Sequence, residues 1–538
     1  MRRIASPNQI PSAEKNTLEA LANRAAHFYR LGHLETARQF ASDVIARAPN
    51  HSDALLTLTH ALRDMGHFDE ALATLEGFLK LQPDHRGARA AYALTLFYKQ
   101  DWPRAWRAFE VRFQFMDKPP TVMVRGKDGK PVPLRSWNGG PIPSSLLVIG
   151  EQGLGDTIQF ARFLPLLAEA GSKVVLVVQR RLFRLIEPLC AGIELRPIEK
   201  SGSVQGISAW TPLMSLPQAL DLPPEKFVTK NPYLRAEPER AKRWCKKLCR
   251  EGFKIGIVWQ GNPTPSIDAG RSAPLAAFAP LAAIEGVRLI SLQKGEGIRQ
   301  IAQVPFKVEQ LGEDFDSGPD AFLDSAAVIE NLDLMVSVDT SLAHLAGALG
   351  KPVYILLKRL GADWRWLHAR EDTLWYPSAH LFRQAVPGDW QEVLTRVAAE
   401  MRKLAAAKAQ ESPLIPASVG EILDKLSILA IKRERMGDVE KRANVEREYA
   451  ELLKVRERHG WRGEELERLF AELRQVNETL WDVEDTLREH ERQSKFDDKF
   501  IELARSVYKT NDRRAALKRD INRLCGSALV EEKAYKPY

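Results

Sequence analysis

Between residues 146 and 408, short apolar runs alternate with segments whose apolar residues recur at helical spacing. The apolar runs are rich in leucine and β-branched residues and predict buried strands at 146–149, 173–178, 193–198, 254–259, 288–292, 333–338 and 352–357. The intervening segments predict helices at 157–170, 181–189, 237–250, 274–284, 322–331 and 341–349. This alternation is typical of parallel sheets with helices on both faces. A polar, proline-containing break near 221–240 divides the region into two doubly wound halves, 146–235 and 236–408, which we expect to face each other across a cleft.

Residues 1–117 carry an internal repeat with a period of 34 residues. The recurring positions are Gly32, Gly66 and Gln100; Ala37, Ala71 and Ala105; and Pro49 and Pro83. A small alanine lets two antiparallel helices approach closely, and a proline ends the second helix of a pair. The period and pattern resemble tetratricopeptide repeats, with about three units over 17–117. Such arrays usually present a groove to a peptide or protein, although a purely structural appendage is the alternative.

Two further segments complete the chain. Residues 118–145 are rich in proline and glycine and predict a linker that leads into the α/β region, with Trp137 as its anchor. Pro413 and Pro416 mark the start of the last segment, residues 412–538. This segment shows helical periodicity with balanced charges and predicts an all-α bundle or hairpin. Its basic residues form either a site for an anionic ligand or a self-paired face, and the second is the better interpretation: Lys432, Arg433, Arg435, Arg513, Arg514, Lys518 and Arg519.

The most informative stretch is 146–167, where an apolar strand turns through glycines into an amphipathic helix. Such a turn leaves backbone N–H groups and the positive end of the helix dipole facing outward, which suits an anion. Asp156 at the start of this helix is badly placed for binding a phosphate and suits a general base better. The alternative is that Asp156 only caps the helix and orders the glycine turn.

A second strand–helix junction lies at 333–344. The strand ends at Asp339, and Thr340 and Ser341 begin a helix that also carries His344. Hydroxyl and backbone N–H groups at a helix start suit a diphosphate, although Asp339 or Thr340 could serve only as the helix cap.

Polar residues also follow two other strands of the same half. Gln260, Gly261 and Asn262 end one strand, and Gln293 and Lys294 end the next. The carboxyl ends of parallel strands meet at one edge, where open α/β sheets bind their ligands. Arg271 and Lys294 would add positive charge for a diphosphate. Nearby tryptophans could stack on a base or sugar, although a core role is the better interpretation: Trp364, Trp366, Trp375 and Trp390.

Several motifs in order carry a resemblance: EQGLGDTIQFARFLPLL, VWQGN, RSAPLAAFAPL, SLQKG, VDTSLAHLAGALGKPVYILL, DWRW and LFRQAVPGDW. Together they resemble the bacterial tetratricopeptide-repeat glycosyltransferases, which are related to the ADP-heptose heptosyltransferases and more distantly to the protein O-GlcNAc transferases. The similarity spans roughly 15–405. The C-terminal segment resembles a small bacterial helical domain of uncharacterised function.

The resemblance implies a GT-B fold, with the acceptor against the first half and a nucleotide-sugar against the second. It implies Asp156 as the general base, and it places Glu151, Gln152, Gly153 and Gly155 in the acceptor-side loop. The nucleotide-sugar would be held by Gln260, Gly261, Asn262, Arg271, Gln293, Lys294, Asp339, Thr340, Ser341 and His344. Arg271 stands where heptosyltransferases usually have a lysine, which keeps the charge and changes the geometry. The resemblance also implies inversion at the anomeric carbon, with no metal and no cofactor beyond the nucleotide-sugar substrate.

Composition sets wider limits. The 538 residues carry a net charge of +8, a mild excess without the blocks of like charge that indicate nucleic-acid binding. The four cysteines, Cys190, Cys245, Cys249 and Cys525, are too few to staple the chain and suit reduced thiols in the cytoplasm. No signal peptide or membrane-spanning run is recognisable. The oligomeric state is left open.

The leading hypothesis is therefore a glycosyltransferase whose repeats dock a protein acceptor, with a flagellin-like protein suggested by the resemblance. A lipopolysaccharide or other glycan acceptor is the alternative within this class. A non-catalytic scaffold with a relic GT-B domain is the alternative outside it. A dinucleotide-dependent oxidoreductase is disfavoured, because Gly150, Gly153 and Gly155 have the wrong spacing for the dinucleotide fingerprint.

Overall fold

The computed structural model describes residues 18–115, 121–125, 130–198, 206–227, 232–248, 251–264, 268–318, 320–409 and 416–529. The chain divides into two compact units, residues 1–410 and 411–538. The N-terminal segment up to residue 17, Cys249 and the predicted boundary residue Pro413 lie outside the described residues.

The N-terminal repeats form three helical hairpins. Their helices are α1 (Leu18–Arg30), α2 (Leu34–Arg47), α3 (Ser52–Asp64), α4 (Phe68–Leu81), α5 (Arg86–Lys99) and α6 (Trp102–Phe109). The repeated alanines Ala37, Ala71 and Ala105 are completely buried, as close helix packing requires. The turn inside each hairpin is left-handed, with φ of 84° at Gly32, 85° at Gly66 and 64° at Gln100, so the period of 34 residues is a period of backbone conformation too.

The linker enters the fold through a short antiparallel hairpin of β1 (Met123–Arg125) and β2 (Pro131–Pro133). Trp137 anchors it as predicted, because its side chain is buried and its backbone N–H donates to the Trp210 carbonyl at 2.8 Å.

The first α/β half is a four-stranded parallel sheet in the order β5-β4-β3-β6. Its strands are β3 (Ser145–Ile149), β4 (Lys173–Val178), β5 (Ile193–Pro197) and β6 (Ala209–Pro212). Its helices are α7 (Leu154–Phe160), α8 (Leu164–Glu169), α9 (Phe183–Ile186) and α10 (Leu216–Ala219). The strand order reverses beside β3, so the turn from β3 into α7 opens at a topological switch point, where such sheets bind ligands.

The second half is a six-stranded parallel sheet in the order β12-β11-β10-β7-β8-β9. Its strands are β7 (Phe253–Val258), β8 (Val287–Ser291), β9 (Glu309–Gln310), β10 (Leu334–Val338), β11 (Val353–Leu357) and β12 (Ala379–Arg383). Its helices are α11 (Pro238–Lys247), α12 (Ala279–Ala282), α13 (Leu323–Glu330), α14 (Ser341–Ala348) and α15 (Trp390–Ala409). This is the doubly wound Rossmann order, and it places β10, β7 and β8 side by side as the polar strand ends predicted.

The predicted strands all form, whereas β1 and β2 of the linker and β6, β9 and β12 of the α/β region were not predicted. β6 is a proline-ended AWTP segment, and β9 has only two residues. β12 lies at the sheet edge and reads AHLFR, in which His380 and Arg383 interrupt the apolar residues. The long predicted helix at 157–170 is broken at Ala161–Phe163 by a 3₁₀ turn just before Pro165.

The C-terminal unit is all-α, as predicted. It consists of α16 (Val419–Arg435), α17 (Val439–Arg458), α18 (Glu464–Arg492) and α19 (Asp498–Leu524), and α16, α18 and α19 share an apolar core. Five of the seven basic residues named above form ion pairs within the unit: Arg433–Glu446, Arg435–Asp482, Arg513–Glu472, Arg514–Asp424 and Lys518–Glu421. The self-paired interpretation of this face holds for these five.

Among the helices in the described part of the chain, none is both long and apolar enough to cross a membrane.

Candidate active site

A cleft of about 970 Å³ lies between the two α/β halves at the carboxyl ends of their strands. Of the predicted site residues it is lined by Asp156, Gln152, Gly153, Gly155, Gln260, Gly261, Asn262, Arg271, Gln293, Lys294, Asp339, Thr340, Ser341 and His344. Both strand–helix junctions singled out in the sequence therefore open into one space. The structure brings together every predicted residue except Glu151.

Asp156 lies in the first turn of α7, and its carboxylate has two fixed partners. Oδ2 accepts the Gly153 backbone N–H at 2.8 Å, so Asp156 does cap the helix and order the glycine turn. Oδ1 accepts from the Arg365 guanidinium. Burial raises the pKa of Asp156, and Arg365 and the Gly153 N–H offset part of that rise. The side chain keeps 19% exposure, so an acceptor can reach an oxygen lone pair that these partners leave available.

The second junction is built differently. Thr340 is the N-cap of α14, but its side chain makes no capping bond and instead pairs with the Ser337 hydroxyl at 2.9 Å. The first turn of α14 contains no acidic residue. This helix start and the Ser341 side chain line the cleft. No carboxylate in the first turn of α14 offsets the positive end of the helix dipole.

His344 holds the second junction in place and is electrically neutral there. Its Nδ1 lies 2.9 Å from the Tyr376 hydroxyl and its ring stacks on Trp366, with centroids 5.4 Å apart. Burial first, and Arg365 second, keep the pKa of His344 well below its usual value. The four tryptophans that could have stacked on a ligand, Trp364, Trp366, Trp375 and Trp390, are all buried in the core.

Asp339 lies in the second junction, directly after the end of β10. Burial and the nearby Asp363 carboxylate raise its pKa to about 6, against the pull of Arg365 and Arg271 in the other direction. A carboxyl that titrates near neutrality is characteristic of a site rather than of a surface.

The Arg271 guanidinium lies flat against the backbone of Gly261. A Cβ at position 261 would stand 2.4 Å from Arg271 Nη2, so the glycine makes room for the arginine. Nη2 reaches the Asn262 carbonyl at 3.5 Å, and Nε lies 3.6 Å from Asp268. Arg271 is thus held near the carboxyl end of β7 and lines the same cleft as the N-terminus of α14.

Gln293 and Lys294 use their side chains largely within the protein. The Gln293 amide accepts from the backbone N–H groups of Trp259 and Gln260 at 3.1 and 2.9 Å. It also donates to the carbonyls of Gln260 and Lys294, so it ties two strand ends together. The Lys294 ammonium donates to the Phe315 carbonyl while the residue stays exposed at the cleft.

Glu151 does not reach the cleft. Its Oε1 accepts from Arg112 at 2.9 Å and from the Met214 N–H at 3.3 Å, and its side chain is 7% exposed. Arg112 belongs to the 3₁₀ turn Glu110–Phe115 that follows the last repeat. Glu151 therefore joins the repeats to the first half, a long-range role that no local pattern could indicate.

Asp363 and Arg365, which lie between β11 and β12, were not among the site residues predicted from the sequence. Both line the cleft, and Arg365 also donates to Gln159 and, at 3.0 and 3.1 Å, to Asp363. The signal was present in the DWRW motif, a charged group that follows a predicted strand at the carboxyl edge. Its partner Asp156 is 209 residues away, so their pairing could not be read from spacing.

Two segments of the chain match known protein families. Residues 28–106 match a tetratricopeptide-repeat family, and residues 318–356 match glycosyltransferase family 9 (heptosyltransferase). The second match contains Asp339–His344. Protein FlbA of Caulobacter vibrioides is 28% identical over 400 residues, which cover 68% of this chain and 64% of FlbA.

Two solved structures resemble parts of the chain. The ADP-heptose LPS heptosyltransferase II of E. coli is 16% identical, with a TM-score of 0.36, over 49% of this chain and 99% of that enzyme. A mutant O-GlcNAc transferase from Thermobaculum terrenum is 13% identical, with a TM-score of 0.26, over 74% of this chain and 94% of that protein. From the family matches and the sheet topology, the chain combines tetratricopeptide repeats with a GT-B-like α/β region that carries a glycosyltransferase family 9 (heptosyltransferase) segment.

Proposed function

We propose that this chain is a glycosyltransferase that moves a sugar from a nucleotide-diphosphate donor to an acceptor hydroxyl. One observation carries the proposal. The glycosyltransferase family 9 segment supplies the open helix start at Thr340–His344, and the same cleft holds Asp156, a partly exposed carboxylate from the other half. A base and an anion site that face one space are what displacement at an anomeric carbon needs.

In the proposed reaction Asp156 removes the proton from the acceptor hydroxyl. The acceptor oxygen forms a bond to the anomeric carbon as the bond from that carbon to the diphosphate oxygen breaks. The diphosphate leaves with the electron pair, and its developing charge is stabilised by the α14 N-terminus, Arg271 and Lys294. Attack opposite the leaving group inverts the anomeric centre. We expect no metal to be required, because the cations and N–H groups of the chain face the diphosphate position.

For the acceptor we propose a protein docked by the repeats, with a flagellin-like surface protein as the candidate that the family resemblance suggests. The repeats support this because arrays of this type commonly present a peptide-binding surface. A lipopolysaccharide or other glycan acceptor is the competing candidate. Incubation with each acceptor and the donor identified below, followed by mass spectrometry for the added sugar, separates the two.

The test of the donor site is thermal unfolding of the full chain with UDP, GDP, ADP, CMP and their sugar conjugates. A ligand present at 100 times its Kd stabilises the folded state by about 2.7 kcal/mol, which is a clear rise in Tm. We expect one base to be selected and its sugar conjugate to act as donor in the presence of EDTA. If none of these ligands raises Tm, the non-catalytic scaffold becomes the better description.

A further inference from the structure

The segment Lys358–His368, here called the bridge loop, is the first part of the connection from β11 to β12 and makes contacts on two sides. Its inner side carries Asp363 and Arg365, which line the cleft; Arg365 pairs with Asp363 and donates to Asp156. Its outer side lies against the second and third repeats. One short loop thus contacts both the proposed base and the repeat array.

Asp64, the last residue of α3, is the centre of the outer contact. Its Oδ2 accepts the Gly361 backbone N–H at 3.1 Å and the Tyr29 hydroxyl at 2.8 Å. Its backbone carbonyl accepts from Arg359 at 3.4 Å and lies 3.1 Å from His368 Nε2. The contacts from this one repeat residue therefore reach both ends and the middle of the bridge loop.

Two residues of the third repeat also contact the bridge loop. The Tyr98 hydroxyl donates to the Ala362 carbonyl, and Phe97 stacks on Trp364 with ring centroids 4.0 Å apart. Trp364 is the neighbour of Arg365 and is 3% exposed. Movement of the repeats against the loop would therefore move the residue that pairs with the proposed base.

The local environment at the end of α3 disfavours a charged aspartate at position 64. A carboxylate at a helix C-terminus opposes the helix dipole, and Asp64 is also only 4% exposed. Within α3 the buried Arg63 guanidinium lies 3.9 Å from Asp64 Oδ1, but the side-chain groups that hydrogen-bond the carboxylate come from α1 and from the bridge loop. Asp64 therefore destabilises the end of α3 locally while it makes a long-range contact with the bridge loop.

We propose that Asp64 is a positioning residue: through the bridge loop it holds Arg365 against Asp156, so that the repeats form part of the transfer site as well as a docking surface. This inference rests on the proposed function. Arg365 donates to the Asp156 carboxylate and lowers its pKa against the effect of burial, which favours the ionised, oriented form that a general base needs. The other titratable or charged groups that line this cleft, among the described residues, are Asp363 on the bridge loop, Asp339 after β10, His344 on α14, Arg181 after β4, Arg271, Lys294 and Asp316.

The experiment compares Asp64→Ala, Asp64→Asn and Asp69→Ala in the full chain. Asp69 lies in the same repeat, exposed and paired with Lys99, and serves as the matched control. For Asp64→Ala we expect kcat to fall by about 10- to 100-fold, with nucleotide Kd within about twofold of the parent. The acid limb of the pH profile should move to higher pH, because Asp156 loses the cation that lowers its pKa. Asp64→Asn keeps an oxygen for Gly361 and should recover part of the rate.

Amide hydrogen exchange supplies a readout that does not depend on activity. We expect faster exchange in both 358–368 and 153–160 for Asp64→Ala and in neither for Asp69→Ala. A loss of rate with an unmoved acid limb, or faster exchange confined to the bridge loop, would overturn the proposal. Absence of nucleotide binding and transfer in the parent chain would instead refute the proposed function, and hydrogen exchange would still report whether Asp64 restrains the two segments.

Discussion

The two α/β halves use the same local device, a parallel strand that turns into a helix, for different purposes. In the first half the helix start is closed from within, because Asp156 sits in the first turn of α7 and binds the Gly153 N–H. In the second half the first turn of α14 has no carboxylate, and Asp339 stops just before it. One junction presents a fixed carboxylate to the cleft and the other presents N–H groups.

The difference shows that a glycine-rich turn after a strand does not by itself indicate a phosphate site. The position of the carboxylate relative to the helix start decides it. Asp156, inside the first turn, binds the N-cap N–H and offsets the dipole, whereas Asp339 precedes the N-cap and no acidic residue lies in the first turn of α14. On this basis the junction at α7 suits base chemistry and the junction at α14 suits a diphosphate.

The largest expected effect comes from removing the proposed base. We expect Asp156→Asn to lower the transfer rate by about 10²- to 10⁴-fold, because the amide cannot accept the acceptor proton. The nucleotide-induced rise in Tm should persist, since the diphosphate lies at the other junction. Asp69→Asn, a first-turn carboxylate of α4, is the control and should leave the rate unchanged. Loss of the nucleotide effect in Asp156→Asn would make Asp156 a structural cap only.

Next in size is the loss of positive charge at the second junction. Arg271→Ala should weaken nucleoside diphosphate binding by about 10- to 100-fold, because it removes a charge-assisted hydrogen bond. Isothermal titration with the nucleoside and its diphosphate should show the loss for the diphosphate alone. The exposed Arg299 on the same half provides the control Arg299→Ala. Equal affinity of Arg271→Ala and the parent for the diphosphate would remove Arg271 from the site.

A third prediction tests whether the two junctions depend on each other. A Cβ at Gly155 would stand 2.9 Å from His344 Cδ2 and 3.3 Å from Ser341 Cα, so α7 and α14 must separate to accept it. Gly155→Ala should destabilise the fold by about 1–3 kcal/mol and impair both transfer and nucleotide binding. The control is Gly77→Ala in α4, where the added methyl meets open space and should be neutral or slightly stabilising. An unchanged Tm for Gly155→Ala would mean that the helices do not rely on this contact.

The smallest expected effect concerns the pH dependence of stability at Asp339. Its pKa in the fold is about 6 against an ordinary 3.8, so the ionised form destabilises the folded chain at neutral pH. Asp339→Asn should therefore raise the unfolding free energy by about 1–2 kcal/mol near pH 7.5. The gain should shrink as the pH falls through 6 and vanish near 4, where the carboxyl is protonated in both states. Unfolding curves across this range provide the measurement, and a gain that is constant with pH would contradict the assignment.

Much of the fold could be predicted because its signals are local. Every predicted strand formed within one residue of its expected bounds, since buried parallel strands are continuous apolar runs. The repeats were readable because Ala37, Ala71 and Ala105 must all be small for the same packing reason. The strands that were missed are short, proline-ended or at an edge, where burial no longer imposes an apolar run.

The residues of the candidate site were likewise predictable only where their signals are local. Residues that follow directly on a strand, such as Asp339 and Gln260, were found because the chain direction brings all parallel strand ends to one edge. The behaviour of their side chains was not predictable. The Gln293 side chain hydrogen-bonds to the ends of two neighbouring strands, and Glu151 pairs with Arg112 outside the cleft.

The sequence alone determined the repeat period, the strand–helix alternation and the two polar helix starts, because each depends on neighbours within a few residues along the chain. Tertiary structure alone decided that Arg365 pairs with Asp156, that Gly155 brings α7 against α14, and that Asp64 of the repeats holds the bridge loop. These contacts join residues from about 190 to 300 positions apart, which only packing can bring together. The local sequence therefore specifies the parts of the cleft, and long-range packing brings those parts together.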